Sequence, residues 1–224
     1  MIPASIADPA SGADSVRAAR RQAFVDAARD AFFARGYGET TMSSIAAKVG
    51  GSKTTLWSYF PSKEELFAAV VDDIVTQFSQ ALTVDLPPDG PVEATLRRFA
   101  TAMMATVLSP PVIALHRVVT GEAQRFPELG ATFYQRGPKR GKERLGAYIA
   151  AAMADGRLRQ GDPMVAARQF SSLCQSGCFH EILLAIEGFA GEDKIRRDIE
   201  AAIDTFLRAW ATDRPGAGSV NASG

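Results

Sequence analysis

Apolar residues recur at three- and four-residue spacing through most of the chain, and this periodicity restricts the fold more than any other feature. Phe24, Ala28 and Phe32 follow it in the first long segment. The β-branched alternation and the Asn-Gly or Asp-Gly turns that indicate hairpins are missing. Gly and Pro interrupt the pattern repeatedly, as at Gly36 and at Gly137-Pro138. The sequence therefore predicts an all-α protein made of many short helices.

The composition excludes several classes of protein. The 224 residues, 46% apolar and 22% charged, are typical of a folded chain. No apolar run is long enough for a transmembrane helix, and residues 1–14 lack the apolar segment of a signal peptide, so a cytoplasmic location is expected. Two cysteines and two histidines leave little material for metal sites or acid–base chemistry, and we predict neither a metal ion nor a cofactor.

Two short helices joined by a glycine turn are predicted between Thr41 and Phe60. Thr41 and Ser52 are suited to N-cap them, and Gly50-Gly51 ends the first. The pattern is the sequence form of a helix-turn-helix. Its packing residues would be Ile45, Ala46, Val49, Leu56 and Phe60.

The charge of this region favours binding to nucleic acid. The whole chain has 25 basic and 25 acidic residues, but the segment from Arg17 to Lys63 has eight basic and three acidic residues, a net charge of +5. Such a patch attracts phosphates without regard to base sequence. The outer face of the second short helix carries donors and aromatic rings suited to base edges and phosphates: Lys53, Thr54, Thr55, Trp57, Ser58 and Tyr59.

The run from Thr40 to Phe67 also resembles the N-terminal DNA-binding domain of the TetR family of transcriptional regulators, above all in SKTTLW at 52–57 and SKEELF at 62–67. The resemblance implies an all-helical homodimer, usually a repressor, that binds palindromic operator DNA and responds to a small molecule. It assigns Trp57 and Lys63 to phosphate contacts, with a structural role as the alternative for Trp57 and Tyr59. The residues expected at the DNA are Thr41, Ser43, Lys53, Thr54, Thr55, Trp57, Ser58, Tyr59 and Lys63.

The segment from Arg117 to Pro138 resembles the C-terminal domain of the AefR-like branch of that family. We expect an apolar or amphipathic ligand among the helices from Val92 to Ala154, where proline breaks separate short helices that can shift. An ordinary packed core is the alternative for the methionine stripe. The candidate ligand residues are Phe99, Met103, Met104, Val107, His116 and Tyr134.

Dimerisation is assigned to the last helices, one from Pro163 to Ile186 and one from Glu192 to Ala211, which would form a four-helix bundle with a second copy. The predicted interface is the stripe Ile195, Ile199, Ile203, Phe206 and Trp210. The predicted organisation is a flexible N-terminus (1–14), a three-helix DNA-binding domain (15–76), a regulatory and dimerisation domain (77–212) and a flexible tail (213–224).

Three other interpretations were weighed. An enzyme would need a nucleophile with a base, a carboxylate pair or metal ligands, and no such constellation is found. A ligand-independent activator or architectural DNA-binding protein would keep the helix-turn-helix. Cys174 and Cys178 lie four residues apart and could suggest metal or redox chemistry, but they fit better as small core residues.

Overall fold

The computed structural model describes residues 9–212, with side chains from Asp14 onward. Within that range the regular elements are helical, apart from an isolated antiparallel bridge between Leu158 and Ala211, and the all-α prediction is confirmed. A short 3-10 helix spans Gln80–Leu82. The α-helices are α1 (Pro9–Glu39), α2 (Met42–Lys48), α3 (Lys53–Tyr59), α4 (Lys63–Phe78), α5 (Val92–Val107), α6 (Pro110–Glu122), α7 (Pro127–Arg136), α8 (Pro138–Ala154), α9 (Pro163–Cys174), α10 (Cys178–Leu183) and α11 (Glu192–Trp210).

The first helix departs from its prediction at both ends. It begins at Pro9, so residues 9–14, expected to be flexible, are helical. Gly36 has a φ of 83° and a ψ of 168°, a positive-φ conformation that suits glycine but is not the left-handed helical one, and helical structure resumes as far as Glu39. The other predicted flexible residues, 1–8 and 213–224, lie outside the described part of the chain.

The chain forms two compact units that are not consecutive in sequence. Unit 1 comprises the described residues up to Phe78 together with 110–137, and unit 2 comprises 79–109 with the described residues from Pro138 onward. The predicted boundary at residue 76 lies close to the first division between the units, after Phe78. The chain also passes between the units after Ser109 and after Gly137, which the sequence did not predict. Helices α6 and α7, expected in the regulatory domain, belong to the same unit as α1 to α4.

Aromatic rings fill the core of unit 1. Phe32, Tyr37 and Phe67 are all buried, with ring centroids 5.3 to 5.8 Å apart. Phe126, which follows α6, lies edge-on to Tyr37 at 5.0 Å. Leu56 of α3 is fully buried in the same core. The ring contacts hold α1 and α4 together with Phe126, and Leu56 anchors α3 in the same core.

The predicted dimer stripe is corrected by the core of unit 2. Ile199, Ile203 and Phe206 are buried by helices of their own chain, and the Phe206 ring lies 5.2 Å from that of Phe170 on α9. Ile195 and Trp210 are half-buried against the same core. The stripe is regular because it packs on α5 and α9 of the same chain. Three of its five residues, Ile199, Ile203 and Phe206, are therefore too buried to contact a second copy.

The predicted helix from Pro163 to Ile186 is interrupted. Asp162 caps α9 by accepting from the backbone N–H groups of Met164 and Val165, as expected, but α9 ends at Cys174. After the break, Asp198 of α11 accepts the Cys178 N–H at 2.8 Å, and its Oδ1 lies 2.5 Å from where a Cβ on Gly177 would be. A carboxylate supplied from another helix therefore shapes this turn.

The interpretation of the two cysteines as small core residues is confirmed. Cys174 and Cys178 are free thiols buried in unit 2. Burial raises the pKa of each to about 12, so both stay protonated at neutral pH.

Among residues 9–212, no single helix is long and apolar enough to cross a membrane. Helices α5 and α6 meet that length and composition only as a bent pair.

Candidate nucleic-acid interface

The two short helices α2 and α3 form the predicted helix-turn-helix. The Thr41 Oγ1 accepts the Ser44 N–H at 3.1 Å, and the Ser44 hydroxyl reciprocates with the Thr41 N–H at 3.3 Å, a complete capping box. Gly50 turns the chain with a φ of 69°, a conformation that glycine adopts without strain. Ser52 caps α3 through the Thr55 N–H at 3.0 Å.

One face of α3 is turned away from the core of unit 1 and towards solvent. Lys53, Thr54, Trp57 and Ser58 are exposed, and Trp57 exposes 46% of its surface although it is a large aromatic residue. Thr41, which precedes α2, and Ser43, on α2, are exposed as well. Ammonium, hydroxyl and indole N–H groups are the donors and acceptors that proteins present to phosphates and base edges.

Two predicted contact residues face inward. Thr55 is half-buried, and its hydroxyl lies 2.8 Å from that of Ser52, so it supports the cap of α3. Tyr59 is half-buried against the core of unit 1, with its ring 5.7 Å from Phe24. The half-buried position of Tyr59 fits its structural alternative, while the exposure of Trp57 leaves this residue available for a contact.

Lys63 has a structural role that the sequence did not reveal. Its ammonium donates to the Tyr37 carbonyl at 2.8 Å and to the Thr40 carbonyl at 2.9 Å, and it lies 4.2 Å above the Tyr37 ring. Burial lowers its pKa, although the nearby carboxylates of Glu64 and Glu122 oppose that shift. The residue assigned to a phosphate is thus held by the turn from Tyr37 to Thr40, which follows the non-helical Gly36, includes the last residues of α1 and leads into α2.

Glu122 binds the backbone N–H groups of the same turn. Its carboxylate accepts the Gly38 N–H at 2.8 Å and also the Tyr37 N–H. Arg136 of α7 pairs with Asp72 of α4, a second link within unit 1. No signal in the sequence could have found Glu122, because its partners are backbone groups more than eighty residues earlier.

The predicted ligand residues fall into both units. Phe99, Met103 and Met104 are buried in the core of unit 2, and Val107 packs against it. His116 and Tyr134 belong to unit 1, where His116 lies edge-on to Phe133 at 4.6 Å and its burial lowers its pKa. The six residues are therefore not one cluster within a unit, because the two units alternate along the chain.

Comparison with protein families matches both parts of the chain. Residues 24–70 match bacterial regulatory proteins of the tetR family. Residues 94–212, more than half of the chain, match the C-terminal domain of AefR-like transcriptional repressors. The chain belongs to the TetR family of bacterial transcriptional regulators. This TetR-family protein is a helix-turn-helix DNA-binding regulator in a non-enzymatic family, which confirms the resemblance and the expectation that it is not an enzyme.

Solved structures resemble this TetR-family protein over almost their whole length. The flavonoid-responsive regulator FrrA is 34% identical over 88% of this chain and 100% of FrrA, with a TM-score of 0.74. A TetR-family regulator of Mesorhizobium loti MAFF303099 is 26% identical over 87% of this chain and 98% of its own, also with a TM-score of 0.74.

Curated relatives match over shorter stretches. RutR of Escherichia coli K12 is 44% identical over 57 residues, 25% of this chain and 27% of RutR. The nucleoid occlusion factor SlmA of Pasteurella multocida is 29% identical over 94 residues, 42% of this chain and 46% of SlmA. This chain therefore spans less than half the length of either relative.

Substitution of Lys63 and of Lys53 should have different effects on the free energy of unfolding, because only Lys63 is bonded within the fold. Lys63→Met leaves the Tyr37 and Thr40 carbonyls without their donor and should lower the free energy of unfolding by about 1–3 kcal/mol. Lys53→Met changes an exposed residue and should alter it by less than about 0.5 kcal/mol. Urea denaturation of both variants measures the difference, and equal small effects would contradict the assigned role of Lys63.

Proposed function

We propose that this TetR-family regulator is a repressor that binds a palindromic operator as a homodimer and is released by an apolar or amphipathic small molecule. The observation that carries the DNA-binding mode is the outward face of α3. Lys53, Thr54, Trp57 and Ser58 are exposed together on a helix fixed from behind by Leu56. The match of residues 94–212 to AefR-like repressors supports repression.

A helix of this size reads few base pairs, which supports two copies on one duplex. In helix-turn-helix dimers the recognition helices enter successive major grooves about 34–36 Å apart. Two-fold symmetry of the protein then corresponds to palindromy of the operator.

The first test is selection of bound sites from random duplex DNA with the purified protein. The selected sites should be palindromes. Lys53→Ala should weaken binding to selected and random duplexes alike and lower the slope of log affinity against log salt concentration by about 0.9 per protomer, because it removes one phosphate contact. Thr54→Ala or Ser58→Ala should relax discrimination at one position of each half-site.

Arg98→Ala is the control for the loss of one positive charge, because Arg98 is exposed on α5 of unit 2. It should leave affinity and salt slope unchanged. Failure of the wild type to bind any duplex between low and physiological salt would refute the proposed function.

The groove between α9 and α11 is the proposed contact for the second copy, in place of the buried stripe. This open groove has a volume of about 580 Å³. Leu173 and Trp210 supply apolar surface, while Ser172, Thr205 and Ala209 are small enough to let another helix approach closely. The groove lies on the two helices that the sequence had assigned to a four-helix bundle.

Charges placed in this groove should prevent association without unfolding the protomer. Thr205 and Ala209 are exposed, so Thr205→Glu with Ala209→Glu should yield folded monomers at micromolar concentration. Ala150→Glu, on an exposed position of α8, is the matched control and should remain dimeric. Sedimentation velocity measures both, and a monomeric wild type or a dimeric double variant would contradict the proposed interface.

An aromatic, amphipathic effector is proposed because FrrA, 34% identical over its whole length, is a flavonoid-responsive regulator. Phe99, Met103 and Met104 of unit 2 are aromatic and polarizable side chains that suit the same chemistry. Effector binding would favour one arrangement of the helices over another and so change operator affinity.

Titration of the operator complex with a panel of flavonoids tests this proposal. At least one compound should weaken operator binding by about 5–150-fold, the usual range of allosteric coupling. A matched panel of aliphatic sugars should have no effect. If neither flavonoids nor other apolar compounds alter the affinity, the ligand-independent alternative replaces this part of the proposal.

A further inference from the structure

Three arginines form a basic face on α1, the helix that precedes the helix-turn-helix in the sequence. Arg20 and Arg21 lie three and four residues after Arg17, so each of them is a neighbour of Arg17 on the helix surface. The Arg21 guanidinium lies 4.8 Å from the centroid of Phe60, and the Arg17 guanidinium lies 5.8 Å from that of Tyr59. Tyr59 and Phe60 end α3, so this basic face borders the recognition helix.

Arg20 occupies space beside the turn between α2 and α3. Its guanidinium is 5.7 Å from the centroid of Phe24. Its Nη2 is 3.1 Å from where a Cβ on Gly51 would be, so the glycine leaves room for it. A guanidinium over a ring is held in orientation while the N–H groups at its edge can still donate.

The basic face has no internal counter-charge. Among the side chains of residues 14–212, no carboxylate pairs with Arg17, Arg20 or Arg21. Arg29, further along α1, differs: it lies 3.2 Å from Asp26 and 3.3 Å from Asp73. Like charges three and four residues apart on a helix repel each other, so this face is destabilising until an anion neutralises it.

We propose that Arg17, Arg20 and Arg21 bind phosphates of the operator that flank the bases contacted by α3. The inference rests on the proposed function, since it names further residues for the same DNA. The guanidinium fork matches phosphate oxygens, and the three forks are oriented by rings next to α3. Contacts of this kind position the protein without reading sequence. They would add phosphate contacts to those predicted from the sequence for Trp57 and Lys63.

The test compares the wild type with a variant carrying Arg17→Gln, Arg20→Gln and Arg21→Gln. Affinities for the selected operator and for random duplex are measured at several salt concentrations. Each lost phosphate contact lowers the slope of log affinity against log salt by about 0.9, so the triple variant should lose about 2–3 per bound protomer. Affinity for both duplexes should fall by similar factors, whereas Arg98→Gln should match the wild type.

The three single Gln variants keep the test decisive if the triple variant does not fold. Each replaces one residue near the solvent, and each should lower the slope by about 0.9 per protomer. Circular dichroism checks that every variant is helical before DNA is added.

The outcomes separate this inference from the proposed function. If the wild type binds its operator and the folded variants keep its slope and affinity, the arginines do not bind phosphates and the proposed function stands. If the triple variant loses affinity for the operator but not for random duplex, the arginines read bases and the inference is wrong. If the wild type binds no duplex, the proposed function fails and the inference fails with it.

Discussion

The turn from Tyr37 to Thr40 is held through both its carbonyls and its N–H groups, and the arrangement of unit 1 depends on it. The Lys63 ammonium donates to its carbonyls, and the Glu122 carboxylate accepts its N–H groups. Hydrogen bonds to charged groups contribute about 1.5–3 kcal/mol each, more than neutral ones. The Tyr37 ring is buried between Phe32, Phe67 and Phe126. Through this one short turn, α1 is joined to α4 by Lys63 and to α6 by Glu122, and neither α2 nor α3 takes part in these bonds.

This constraint positions the DNA-binding face. Helix α2 begins directly after the turn, and its Thr41 cap shares the backbone held by Lys63. Helix α3 is fixed in turn by Leu56 beneath it and by Tyr59 against Phe24. With the inner side of α3 committed to packing, its remaining side chains face solvent. The polar outer face of α3 is therefore held in position to enter a major groove, as recognition helices of helix-turn-helix proteins do.

The sequence predicted local features well and long-range partners poorly. The caps at Thr41, Ser52 and Asp162 and the breaks at Gly50 and Pro138 were predictable, because each depends on neighbouring residues. The role of Lys63 and the start of α10 were not, since they depend on the Tyr37 and Thr40 carbonyls and on Asp198, which are distant in sequence. The α11 stripe shows a third case: periodicity correctly identified a buried face, but it could not distinguish burial by the same chain from burial by a second copy.

Hydrogen–deuterium exchange of the full chain, with and without its selected duplex, tests most directly the claim that α3 presents the DNA-binding face. The account predicts slower exchange on DNA binding in peptides covering 41–60. Peptides covering 184–189, where Leu184, Ile186 and Phe189 are exposed in unit 2, should exchange at unchanged rates. Slower exchange confined to unit 2, with residues 41–60 unaffected by the duplex, would contradict it.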